Sequence, residues 1–154
     1  MDDKSEAKKI SYDYIRGLVE GEGCFTFSTS NQKLANGEVI RRKIPAFAIA
    51  MHERDEELLR LIRNTLKLPN RIYKYKNDKK DGYKRGKITI LIVREIGAIR
   101  TIIVPLFYKR LIGNKGRQFD AWMEKIGSDP EIPPKFKSVY HLYKTGFYDK
   151  YPKY

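Results

Sequence analysis

The sequence predicts an α+β fold: one four-stranded antiparallel sheet covered by helices on one face. Three observations point to it. Two stretches of alternating residues, each broken by a turn signal, read as β-hairpins, one around Asn36-Gly37 and one around Asp81-Gly82. Helical spacing of apolar residues recurs before, between and after them. At 154 residues the chain is long enough for one sizeable core, so the two hairpins are expected to share a sheet.

In order, residues 1–10 form a polar lead-in. Ser11 and Asp13 are N-cap candidates for a helix that runs to about Gly21. Gly17, Gly21 and Gly23 crowd its second half, although each interior helix glycine costs about 1 kcal/mol against alanine. Gly17 and Gly21 are i and i+4, so they share one face that a second helix backbone can approach closely. A strand follows at 24–31, with Phe25 and Phe27 on one side and Thr26, Ser28 and Ser30 on the other. The return strand, 39–51, sets Phe47 and Ile49 against a small face of Ala46, Ala48 and Ala50.

Residues 53–67 predict a helix. Glu53, Asp55, Glu56 and Glu57 load its first turn with acids, and Leu58, Leu59, Ile62 and Leu66 make its buried stripe. In the second hairpin Ile88, Ile90 and Ile92 are expected to face the core, with Lys87 and Thr89 facing away. The parity of 71–76 stays open, because Arg71, Tyr73 and Tyr75 compete with Ile72, Lys74 and Lys76. A helix over about 94–104 points Ile96, Ile99 and Ile103 inward, and Pro105 is expected to end or kink it. The basic loop Gly113-Asn114-Lys115-Gly116-Arg117 leads to a helix with Phe119, Trp122, Met123 and Ile126. The expected organisation is a lead-in over 1–10, a core over 11–127 and a C-terminal extension over 128–154. Val139, Leu142 and Tyr143 predict a short docked helix in that extension, which is open to folding back, lengthening a footprint or holding a dimer.

Lys and Arg total 32 against 19 acids, a net charge of +13. That excess favours a polyanionic partner, and nucleic acid above all. Between 71 and 87 eight basic residues face only Asp78 and Asp81, and Arg41, Arg42 and Lys43 occupy the matching place in the first hairpin. Lysines that merely solvate strand edges are the plainer explanation. Cys24 is the single cysteine, which suits a reducing, intracellular setting such as cytoplasm, nucleoid or organelle matrix. Residues 1–10 lack the apolar core of a signal peptide, and no apolar run is long enough to span a bilayer, so no membrane partner is expected.

The stretch Ile15-Arg16-Gly17-Leu18-Val19-Glu20-Gly21-Glu22-Gly23-Cys24-Phe25 resembles the LAGLIDADG signature of homing endonucleases of the intron-encoded type. The alternating strand after it, the αββαββα order and Lys115 before the Phe119/Trp122 helix match as well. With one copy of the motif, the chain resembles the single-motif class, whose members act as homodimers. The resemblance implies a site-specific double-strand DNA endonuclease that hydrolyses phosphodiester bonds in a long pseudo-palindromic site. It implies a saddle-shaped DNA-binding sheet and a divalent metal, Mg²⁺ with Mn²⁺ as a substitute.

By that resemblance Glu22 is the metal ligand and a catalytic residue, Gly23 lends its backbone carbonyl to the metal, and Lys115, the second catalytic residue, stands near the scissile phosphate. Gly17, Leu18, Glu20 and Gly21 form the dimer interface. A two-fold axis through that face brings two copies of Glu22 together, and paired carboxylates repel unless a cation lies between them. A Gln that holds a metal-bound water in some members is replaced here by Met51, beside His52. DNA contacts are expected from Thr26, Ser28, Ser30, Gln32, Arg41, Arg42, Lys43, Lys74, Lys76, Arg85, Lys87, Thr89 and Arg117. Two alternatives share the fold and charge: a maturase that binds intron RNA, and a non-catalytic DNA-binding protein.

Overall fold

Helix α1, Tyr12–Glu22, begins where Ser11 accepts the Tyr14 N–H on its hydroxyl at 3.0 Å. It buries Ile15 and Val19 and leaves Gly17 and Gly21 exposed. The computed structural model describes residues 8–76 and 86–154. Arg85 and the Asp81-Gly82 turn lie outside that range.

Strands β1 (Gly23–Lys33), β2 (Val39–His52), β3 (Ile72–Lys76) and β4 (Lys87–Val93) form one antiparallel sheet in the order β1-β2-β4-β3. A 3₁₀ turn, Glu53–Asp55, and helix α2, Glu56–Thr65, connect the two hairpins. Register fixes the two faces. Phe25 pairs with Phe47, Phe47 with Val93 and Ile49 with Leu91, all on the helix-covered face. Cys24 pairs with Ala48, Thr26 with Ala46, Ala50 with Ile90 and His52 with Ile88, on the open face.

This register corrects the expectation for β4. Leu91 and Val93 are fully buried with Thr89, whereas Ile88, Ile90 and Ile92 are half-buried on the open face. The strand is apolar at five of its seven positions, so its own alternation is weak; pairing with Phe47 and Ile49 decides which side goes in. The same pairing settles β3. Tyr73 lies opposite Ile90 and Tyr75 opposite Ile88, while Lys74 lies opposite Thr89 on the helix side.

Pro105 does not end its helix. Helix α3, Ile96–Ala98, runs through a π-helical turn, Ile99–Ile103, into α4, Val104–Phe107. In the π register Val104 N–H reaches the Ile99 carbonyl, so the donor owed to Arg100 is residue 105, a proline without an N–H. The C-terminal extension supplies the missing partners. Tyr148 donates its hydroxyl to the Arg100 carbonyl at 2.9 Å, and Lys153 Nζ donates to the Thr101 carbonyl at 3.1 Å. The extension therefore folds back. After helix α5 (Asn114–Ser128), Ile132, Phe136, Val139 and Tyr148 join the central core, and α6 (Lys137–Lys144) and α7 (Phe147–Lys150) pack behind it. Among the described residues no helix is long and apolar enough to cross a membrane.

Candidate functional site

The foot of α1 is where the chemistry gathers. Helix α1 passes into β1 without a loop, and only glycine fits at the junction: a Cβ on Gly23 would lie 2.5 Å from Val19 Cγ1 and 2.9 Å from the Val19 carbonyl oxygen. That tight exit presents the exposed Glu22 at the helix C-terminus. The carboxylate adds to the partial negative charge of the helix end, and the last turn of α1 holds no basic residue. The balancing cation arrives from α5. Lys115 Nζ donates to the Gly23 carbonyl at 2.7 Å.

Phe25 anchors this junction in the core. Its ring lies 5.2–5.5 Å from those of Phe47, Phe107, Phe119 and Trp122. Trp122 also donates its indole N–H to the Thr26 carbonyl at 2.8 Å on the outer edge of β1. The site is thus carried by rigid elements rather than by a loop.

Glu20, expected at the helix end or the dimer interface, is engaged near the helix end. Its carboxylate accepts the backbone N–H of Gly113 at 3.0 Å and that of Ile112 at 3.3 Å, within its own chain. Met51 packs against the core, where its thioether offers no strong partner for a water. His52 accepts the Arg54 N–H on Nδ1 at 3.1 Å and so caps the 3₁₀ turn.

Among the described residues no group of three or more His, Cys, Asp or Glu side chains forms a cage for a metal. What one chain offers is the Glu22 carboxylate and the Gly23 carbonyl. These are hard oxygen donors, and the carbonyl keeps a second lone pair beside Lys115. A donor set of this size suits an ion that fills most of its shell with water and phosphate oxygens.

The open face carries part of the expected DNA-contact set, and several other members lie on the helix side of the sheet. Thr26, Ser28, Ser30, Gln32 and Arg42 lie on it, and Arg42 Nε donates to Gln32 Oε1 at 3.4 Å. Arg41 and Lys43 point to the helix side. Lys43 Nζ bonds Asp129 Oδ2 at 2.9 Å, and Arg41 Nε lies 3.8 Å from Glu131. The hydrogen bond to Asp129 raises the Lys43 pKa, and the same bond lowers that of Asp129. Lys74 pairs with Glu56 of α2 at 3.3 Å, and Lys76 and Lys87 share its side of the sheet. Thr89 is fully buried with its hydroxyl unpartnered among the described residues. These side chains are wrongly placed for the open face because strand alternation assigns them to the other one. Arg117 is exposed on the first turn of α5.

In exchange, the undecided parity of 71–76 resolves in favour of Arg71, Tyr73 and Tyr75 on the open face, and Arg94, which sequence reasoning left out, joins them. Tyr73 and Tyr75 are about half exposed there, at 50% and 48%. Arg71 and Arg94 line one cleft with Tyr73 and Ile92. The signal for Arg94 was its parity with Ile92, which becomes visible once β4 is turned over.

A family model described as LAGLIDADG endonuclease matches residues 15–126. The chain belongs to the LAGLIDADG endonuclease family. The match contains α1 from Ile15 on, all four strands and Lys115. No curated protein sequence is significantly similar to the chain. Solved structures share the LAGLIDADG fold. The homing endonuclease I-TnaI is 22% identical with a TM-score of 0.60, the match covering 93% of this chain and 94% of that one. I-LtrWI, solved bound to target DNA, is 22% identical with a TM-score of 0.60, the match covering 89% of this chain but only 44% of that one. I-SmaMI, solved on uncleaved DNA target in the presence of calcium ions, is 21% identical with a TM-score of 0.59, covering 88% and 44%. The chain thus spans nearly the whole length of I-TnaI and less than half that of I-LtrWI and I-SmaMI.

Proposed function

We propose that this LAGLIDADG chain is a site-specific double-strand DNA endonuclease that acts as a homodimer with a divalent metal. The observation that carries the reading is the foot of α1, where Lys115 Nζ reaches the Gly23 carbonyl directly after the exposed Glu22, next to the open sheet face. Glu22 and Gly23 are the residues that would hold Mg²⁺ or Mn²⁺. The ion, when bound, polarises the scissile phosphate and lowers the pKa of a bound water. Glu22 orients the site through its negative charge. Lys115 offsets charge that builds on phosphate oxygens as the P–O bond breaks.

The dimer is supported by the exposed face of α1. Nothing lies within 4 Å of where a Cβ on Gly17 or Gly21 would stand, so that face is flat. Tyr14 on the same helix is 50% exposed. Packing two such helices about a two-fold axis places one Glu22 toward each strand. The open face then follows a groove: Thr26, Ser28, Ser30, Gln32 and Arg42 along β1 and β2, with Tyr73, Tyr75, Arg71 and Arg94 farther out. Arg117 adds a phosphate contact near the axis.

The test is selection of cleaved molecules from a randomised duplex library with Mg²⁺. The expected product is cut in both strands within a long pseudo-palindrome, by a species that sediments as a dimer. A protein that binds duplex tightly and cuts none of the library refutes the nuclease reading.

A further inference from the structure

The turn between α4 and α5 is anchored early, by Tyr108, Lys109 and Leu111, but its last two residues have no side-chain anchor. Ile112 is 95% exposed and Gly113 has no side chain, so packing fixes neither. What holds them is a carboxylate from another element. Glu20, two residues before the end of α1, accepts Gly113 N–H at 3.0 and 3.1 Å through its two oxygens and Ile112 N–H at 3.3 Å. Gly113 is the N-cap of α5 and has no side chain to cap with; Glu20 instead ties down, from outside the helix, the backbone N–H of the cap residue and of the residue before it. The turn is also tight: a Cβ on Gly116 would come 2.9 Å from the Leu111 carbonyl oxygen, and Gly116 N–H bonds the Gly113 carbonyl at 3.0 Å.

Lys115 is two residues beyond Gly113. Its ammonium returns to α1, at the Gly23 carbonyl, 2.7 Å away. The end of α1 and the start of α5 are therefore tied twice, by Glu20 to the backbone of 112–113 and by Lys115 to Gly23. A long lysine side chain gives up much rotamer freedom to reach one carbonyl. It does so with less loss if its own backbone is already fixed.

We propose that Glu20 is a positioning residue: its carboxylate clamps the 112–113 backbone and thereby aims Lys115 at the reacting centre. The inference rests on the nuclease reading, in which Lys115 faces the scissile phosphate. Glu20 touches neither substrate nor metal and acts only through Lys115.

The experiment uses the full chain in two arms. The first reads ¹⁵N-labelled protein and needs no activity. In Glu20→Ala the Ile112 and Gly113 amides lose protection from exchange. The Cys24 amide, whose peptide carbonyl is that of Gly23, shifts in the same direction as in Lys115→Ala. Glu20→Gln, which keeps one acceptor oxygen and the side-chain shape, gives a smaller shift of the same sign and guards against a variant that fails to fold.

The second arm reads single-turnover cleavage with Mg²⁺ and affinity for the selected duplex with Ca²⁺. Glu20→Ala slows cleavage about ten- to a hundredfold, the scale expected when a catalytic group is displaced by about 1 Å. Affinity stays within about twofold. Adding Glu20→Ala to Lys115→Ala slows cleavage no further, because the two residues act as one unit. A purely stabilising cap would leave the Cys24 resonance in place and give additive rate losses, and either result overturns the proposal. A wild-type chain that cuts no duplex overturns the nuclease reading instead, while an unmoved Cys24 amide in an active enzyme overturns the positioning role alone.

Discussion

Replacing Tyr148 by Phe tests how the extension is bound to the family core. The phenol is 5% exposed and its hydroxyl donates to the Arg100 carbonyl at 2.9 Å. That carbonyl is one that Pro105 cannot serve. Removing the hydroxyl leaves a part-buried acceptor without its donor, a loss of about 1–3 kcal/mol. In urea, with an m-value of about 2 kcal/mol/M for a chain of this size, the midpoint falls by roughly 0.5–1.5 M. Pro105→Ala restores an N–H to the helix. In that background Tyr148→Phe is expected to lose less than half as much, because the carbonyl then has a donor in its own helix. A pH signature accompanies it. Burial pushes the Tyr148 phenol up to about 12 from 10.0. The native state therefore holds its proton where the unfolded chain has released it. This part of the stability is complete below about pH 10 and lost as pH rises toward 12, and Tyr148→Phe removes it. An equal loss in both backgrounds, or a midpoint shift under about 0.2 M, would refute the idea that Tyr148 seals the Pro105 defect.

Three further outcomes are expected. Arg42→Ala weakens duplex binding by roughly 1–3 kcal/mol in filter or mobility assays, whereas Lys74→Ala changes it less than about twofold because Lys74 faces α2. Thr89→Val is neutral or stabilising by up to about 1 kcal/mol in thermal melts and leaves the cleaved sequence unchanged, since it removes a buried unpartnered hydroxyl. The bond from Lys43 lowers the Asp129 pKa below 3.8, so its contribution to stability is present above about pH 3.8 and is lost as pH falls through the lower native value. Asp129→Asn should flatten that acid limb of the stability profile.

The sequence made some elements legible and hid others for physical reasons. The motif helix, its Ser11 cap and the Phe25/Phe27 strand carry strong local signals, and they stand as expected. Strand β4 does not, because apolar residues on both of its faces erase the period-2 pattern. Its inversion then moved Thr89, Lys74 and Lys76 off the open face together. Arg41 and Lys43 were misplaced for another reason: their partners, Glu131 and Asp129, are some 90 residues away in the chain. Pro105 read as the end of its helix or a kink in it; the helix instead runs on through a π turn, and the donors that serve its carbonyls belong to Tyr148 and Lys153 in the extension. The family pattern put Lys115 and Gly23 in one site, but neither the bond between them nor the grip of Glu20 on Gly113 has a local signature.

The central claim is that Glu22 at the foot of α1 does chemistry rather than merely ending a helix. The most direct test is Glu22→Gln assayed on the selected duplex, for single-turnover cleavage with Mg²⁺ and for affinity with Ca²⁺. The expected result is at least a hundredfold slower cleavage with an unchanged fold and duplex affinity within about threefold. Cleavage within about threefold of the wild-type rate would contradict it.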